Sequence, residues 1–208
     1  MKRLLIWGSG DQGLVTLECA LAMGVYKEIN FLAFKEKKYR KISGFQLYKE
    51  QDIMLNQFLT AYDEVIVATG DNDLREYKLS ILTLLTIPIA TIVHPTVVIS
   101  PFTEVGTGCT ILANAVININ AAIGQGCIIN NGAIVEHDCI IGDLVNISPH
   151  AAIAGHTRIG RKSFIGIGAS IIDGIVIGKG VIIGAGAAVI HDIPSYTVVA
   201  GEPARSIK

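Results

Sequence analysis

The stretch Ile129-Asn130-Asn131-Gly132-Ala133-Ile134-Val135-Glu136-His137-Asp138-Cys139-Ile140-Ile141-Gly142-Asp143-Leu144-Val145-Asn146-Ile147 puts isoleucine or valine at every sixth position. The same step reaches back through Ile123, Ile117, Ile111, Val105 and Ile99 to Val93. It runs forward through Ile153, Ile159, Ile165, Ile171, Ile177 and Ile183 to Val189. Apolar positions recur at about 3.6 residues in a helix and about 2 in a strand, so an unbroken period of six belongs to neither. It marks a solenoid.

The neighbours of the column give the repeat its form. A small residue commonly stands two positions before it (Cys109, Cys127, Cys139, Ala151, Ser163, Ala169), and glycine often follows it, as at Gly106, Gly124, Gly142, Gly160, Gly166, Gly178 and Gly184. This is the hexapeptide pattern of a β-helix, with one short strand and one corner per repeat. Three repeats make a triangular coil of about eighteen residues, and coils stack at about 4.8 Å. The branched column is expected to fill the prism, and the glycines to answer a corner φ that a β-carbon penalises. No phase is lost between Val93 and Val189, which predicts a coil without a long protruding loop.

Residues 1 to 85 read as a separate α/β unit, with 86–208 as the coil and its tail. Arg3 to Trp7 is an apolar run, Gly8 to Gly13 a glycine-rich turn, and Leu14 to Met23 helical in composition. Strands are expected at Glu28 to Phe34 and Glu64 to Thr69, a basic solvated loop at Lys35 to Arg40, a helix at Asp73 to Thr86 and a strand at Ile87 to Thr91. Strand, helix, strand order predicts a small parallel sheet. Across the 208 residues, 17 basic side chains face 18 acidic ones, and half the chain is apolar. That balance argues against nucleic acid or an anionic membrane as partner. The opening apolar run is too short for a signal peptide or span, and four cysteines without a CxxC suit a cytoplasmic protein with reduced thiols.

Two segments carry chemistry. Gly8-x-Gly10-x-x-Gly13, after a strand and before a helix, has the spacing that brings backbone close to a phosphate. The acidic ribose partner expected about twenty residues on falls near Ala33-Phe34, which is not acidic, so another nucleotide or a plain tight turn fits better than NAD. In Glu136-His137-Asp138, the chain's one histidine bracketed by carboxylates has the partners a general base needs. A solvated polar corner would read the same. A histidine metal triad would need His137, His150 or His156 to converge from adjacent subunits, and no metal is expected. Cys109 and Cys127, eighteen apart, are expected to stack in the core.

Gly8-Ser9-Gly10-Asp11-Gln12-Gly13, Gly70-Asp71-Asn72-Asp73-Leu74-Arg75, Val93-His94-Pro95, Glu136-His137-Asp138-Cys139 and Gly201-Glu202-Pro203-Ala204-Arg205 occur in one order. Together they resemble the sialic-acid O-acetyltransferase and nucleotide-amino-sugar N-acetyltransferase family, which includes the enzymes making diacetylated bacillosamine and N-acetylperosamine. The resemblance implies a Rossmann-like N-terminal domain that holds the nucleotide sugar, a left-handed parallel β-helix, and a homotrimer that binds acetyl-CoA between subunits. It implies His137 as base and Asp138 as its carboxylate. Asn146, Gly155, Ile167 and Ala185 fall on the acetyl-CoA side, with the Gly155 N–H at the thioester carbonyl. Gly10, Asp11, Gln12, Ala33, Phe34 and Gly70 fall on the side of the nucleotide-linked amino sugar. Gln12, Ala33 and Asn146 stand where the family commonly has histidine, an acidic residue and histidine. The implied reaction is N-acetylation of an amino-dideoxysugar for surface-glycan biosynthesis. The alternatives are O-acetylation of a sialic-acid-like sugar, or a β-helix protein of another class, a metal enzyme or sugar-nucleotide scaffold.

Overall fold

The computed structural model describes residues 1–34 and 44–207, and the basic stretch Lys35 to Arg40 lies outside them. The chain divides into two compact units, Met1–Val93 and His94–Lys208.

In the first unit, β1 (Lys2–Trp7), β2 (Tyr26–Ala33), β3 (Leu47–Lys49) and β4 (Glu64–Val67) form a parallel sheet in the order β3-β2-β1-β4. Leu4, Leu5 and Ile6 are wholly buried, and Trp7 nearly so. That is why β1 reads as an apolar run rather than an alternation: an inner parallel strand hides both faces. The helix α1 (Asp11–Met23) follows the glycine-rich turn and stops at Gly24, whose φ of 66° lets its N–H reach the Leu21 carbonyl. After the short α2 (Leu55–Leu59), α3 (Asn72–Leu84) starts where the Asp71 side chain accepts from the Leu74 N–H at 2.8 Å.

Two expectations for this unit need correction. The sheet has an additional strand, β3, which is three residues long and at best half-buried, so it leaves no alternation to read. Ile87 to Thr91 is not a strand, because only Ile89 bridges, to Val65. Pro88 has no N–H to give a ladder; its carbonyl accepts from Val65 at 2.9 Å, and the pairing ends after Ala90 returns one bond.

In the second unit, each six residues from Val98 to Val189 contribute one two-residue strand. Each strand up to Ser170–Ile171 pairs in parallel with the one eighteen residues on, as Val116 with Ile134, Ala122 with Ile140 and Ile128 with Asn146. The three resulting sheets are the sides of a left-handed parallel β-helix. From Ile111 to Val189 every member of the branched column is at most 3 % exposed, so the column is the core. The small residues two positions earlier also point inward. The thiols of Cys109, Cys127 and Cys139 donate to the carbonyls of Gly124, Gly142 and Ala154 at 3.1 to 3.2 Å. The Ser163 hydroxyl does the same to Gly178 at 2.9 Å. Such bonds let small polar groups sit in the core without loss.

The glycines after the column have a different cause from the one expected. The left-handed residues lie two positions further on, at Asn114, Asn120, Asp138, Leu144, His150, His156 and Lys162 among others. A β-carbon at Gly142 would meet the Arg161 nitrogen at 2.7 Å, and one at Gly160 the Gly178 carbonyl carbon at 2.6 Å. These glycines let one coil's backbone rest on the next.

Candidate active site

In the first unit, the turn between β1 and α1, the end of β2 and the turn before α3 enclose a cleft of about 520 Å³. Its lining includes Gly10, Asp11, Gln12, Ala33, Phe34 and Gly70, so the residues assigned to the sugar nucleotide converge. Gly8 and Gly13 hold the turn close: a β-carbon on the first would strike the Ala68 carbonyl at 2.2 Å, and one on the second the Gly8 carbonyl at 2.1 Å. A β-carbon on Gly70 would meet no protein atom within 4 Å. Buried Arg75 braces that turn through the Thr69 carbonyl at 2.7 Å and the Asn72 side chain at 2.6 Å. Phe34 stands largely exposed at the cleft and Ala33 is buried.

Sequence reasoning missed Lys78, which also lines the cleft. It pairs with Glu50 at 2.9 Å and lies 4.7 Å from the Trp7 ring centre, while the Trp7 N–H donates to the same carboxylate oxygen at 2.7 Å. Burial lowers the Lys78 pKa more than Glu50 restores it. The three residues come from β1, α3 and the short turn Glu50–Asp52, a long-range grouping that no local pattern signals.

In the second unit, His137 stands on one corner of the prism. Its Nδ1 lies 2.9 Å from Asp138 Oδ2, and the Asn120 amide donates to the other Asp138 oxygen at 3.1 Å. A carboxylate accepts, so Nδ1 carries the proton and Nε2 keeps a lone pair. The hydrogen bond to Asp138 first, then its charge and those of Glu136 and Asp173, hold the His137 pKa above the ordinary histidine value against partial desolvation. The Asp138 pKa is held below the usual carboxylate value, chiefly by the bond from His137 and then by the one from Asn120. Glu136 instead accepts from Asn118 at 2.7 Å.

Gly155 lies one coil further along the same corner. A β-carbon there would meet His137 Cε1 at 2.6 Å, Nε2 at 2.9 Å and Asp173 Oδ2 at 3.0 Å. Glycine at 155 therefore makes room for the imidazole and sets its free nitrogen beside this backbone. Cys139 is close in sequence, but it is buried, and burial pushes its thiol up to about 11, which leaves it a poor nucleophile.

The other assigned residues do not meet His137 within one chain. Ile167 and the exposed Ala185, eighteen apart, occupy a different corner, and Asn146 sits in a strand between Ile128 and Phe164. Asn146 is buried, and among the described residues its Oδ1 has no hydrogen-bond partner. His150 packs on Gly132, away from the active corner. A histidine triad would bring His156 in from another subunit, yet its ring lies 5.1 Å from that of His137 in the same chain. Adding or subtracting eighteen from 137 and 138 finds Gly155, Asn120 and His156, a signal the repeat itself carries.

A β-helix of six-residue repeats with a carboxylate-paired histidine on its corner defines a hexapeptide transferase. The bacterial transferase hexapeptide family (six repeats) matches residues 156–191, and the PglD N-terminal domain family matches residues 3–81. The acetyltransferase domain of PglB from Neisseria gonorrhoeae is 34 % identical over 100 % of both chains, with a TM-score of 0.93. A structure of that domain in complex with acetyl coenzyme A is 33 % identical, covering 99 % of this chain and 98 % of the other, with a TM-score of 0.90. A histidine-to-alanine mutant of the GDP-perosamine N-acetyltransferase of Caulobacter crescentus, in complex with CoA and GDP-perosamine, is 29 % identical over 99 % of this chain and 97 % of that one, with a TM-score of 0.91. Among curated proteins none matches the chain. The chain belongs to the sugar N-acetyltransferase family of hexapeptide-repeat transferases.

Proposed function

We propose that the chain is an acetyl-CoA-dependent N-acetyltransferase acting on the amino group of a nucleotide-linked amino sugar. The observation that carries the mechanism is His137 Nδ1 bound to Asp138 while Nε2 faces the Gly155 backbone. The sugar amine attacks the thioester carbonyl, and its nitrogen becomes an ammonium. Nε2 takes the proton as the C–S bond breaks and CoA leaves as the thiolate, which is then protonated. The product is an amide, and no acetyl-enzyme forms. The Gly155 N–H holds the oxyanion in this reading, worth about 10² to 10³ in rate, and the base about 10² to 10⁴.

Residues 1–85 hold the nucleotide sugar through Gly10, Asp11, Gln12, Ala33, Phe34 and Gly70, and residues 86–208 carry the transfer. Asn146, Ile167 and Ala185 meet acetyl-CoA. Because one chain leaves Ile167 and Ala185 on a different corner from His137, the site is completed by a neighbour in a homotrimer. Light scattering at micromolar concentration should give three times the mass of one chain, and a fully active monomer would contradict this. Among the described residues no helix is long and apolar enough to cross a membrane. The four cysteines are buried thiols outside any disulfide, which suits the reducing cytoplasm, where activated sugars and acetyl-CoA meet.

The test is a panel of GDP-, UDP- and dTDP-linked amino sugars with acetyl-CoA, read by mass spectrometry. One acceptor should gain one acetyl group as one CoA thiol is released. Failure to bind CoA would sink the reading.

A further inference from the structure

We propose that His137, Asp138 and His156 form a binding site for a divalent ion of the zinc class, and that an ion held there silences His137 by reversing its tautomer. The silencing rests on the reading of His137 as the base; the binding does not.

Each of the three side chains offers one ligand atom, all within 4.8 Å of one another. Asp138 Oδ2 is 2.9 Å from His137 Nδ1 and 4.0 Å from His156 Nδ1. Ligands of a tetrahedral zinc at about 2.0 to 2.2 Å lie roughly 3.3 to 3.6 Å apart, so small side-chain rotations close the set. Within one chain the three side chains are 46 %, 39 % and 58 % exposed, so none is walled off by its own coil. The backbone around it is fixed: Asp138 and His156 are both left-handed corner residues, with φ of 57°, and the His156 N–H donates to the His137 carbonyl at 3.1 Å. Asn120 orients the carboxylate from behind, as outer partners do for metal ligands. Two imidazoles and one carboxylate suit zinc and copper, whereas magnesium and calcium prefer all-oxygen sets.

The consequence for His137 follows from its two nitrogens. Without an ion, Nδ1 carries the proton and Nε2 the lone pair. An ion on Nδ1 needs the lone pair at that nitrogen, so the proton of the neutral ring must sit on Nε2 instead. The nitrogen beside Gly155 then donates and cannot accept a proton from the substrate. Zinc and proton transfer exclude each other without any change of fold.

The experiment titrates chelator-treated full-length protein with zinc chloride by calorimetry, with magnesium chloride as control, and repeats it with His156→Asn. Asparagine tolerates the left-handed corner but brings no imidazole. The expected result is saturable binding of one zinc per chain, weakened by tenfold or more in His156→Asn, with none for magnesium. At saturation, zinc should lower turnover by tenfold or more relative to the same protein without zinc, reversibly with chelator, and His156→Asn should lose that sensitivity. Absence of saturable zinc binding, or equal binding by His156→Asn, would overturn the site. Saturation with turnover intact would overturn the silencing. Zinc binding by a chain that acetylates no amino sugar in the panel would leave the site standing and count against the transferase reading alone.

Discussion

Replacing His137 with alanine lowers turnover by about 10² or more and leaves acetyl-CoA affinity nearly unchanged, because the base acts only in the transition state. Two companion variants separate the roles of its neighbours. Asp138 bonds to Nδ1 directly, whereas Glu136 is engaged by Asn118. The base works when unprotonated, so activity falls as pH drops through the His137 pKa, which lies above the ordinary value. Asp138→Asn removes the largest cause of that elevation, so the acidic limb moves to lower pH and turnover falls less than in His137→Ala. Glu136→Gln should move the limb less. If the pKa change instead appears in Glu136→Gln and not in Asp138→Asn, the partner is misassigned. Near-normal turnover in His137→Ala, measured with an amino-sugar acceptor, would end the general-base mechanism.

The second large effect is on stability. Ile153 is wholly buried and lies in register between Val135 and Ile171 on adjoining coils. Coils above and below are themselves tied into parallel ladders, so neither collapses readily into a void. Ile153→Ala should therefore cost about 2 to 5 kcal/mol. Denaturant unfolding measures it. A midpoint equal to that of the parent chain would mean that the cavity does not form and that the six-residue register misplaces this side chain.

The β-helix was legible because its core is one residue type at one interval, a signal that survives without tertiary information. His137 and Asp138 were legible because their pairing is local. Gly155 came only through resemblance, and its physical reason, room for the His137 ring, needs the eighteen-residue stacking. Asn120, His156 and Asp173 meet the site across coils, and the period could have located them. Lys78, Glu50 and Trp7 meet across three elements of the first unit, where no period helps. The column glycines were legible as glycines but not in cause: they accommodate the next coil rather than a left-handed φ, which Asp138 and His156 adopt instead.

Transfer of the acetyl group to a nitrogen of the sugar leaves an amide in the product, and that bond can be tested chemically. The acetylated nucleotide sugar made by the wild-type chain is isolated and treated with mildly alkaline hydroxylamine, which cleaves oxygen esters and spares amides. The expected product keeps its acetyl group and has lost its free amine. An acetyl group released by hydroxylamine, with the amine still free, would place the transfer on a hydroxyl and contradict transfer to nitrogen.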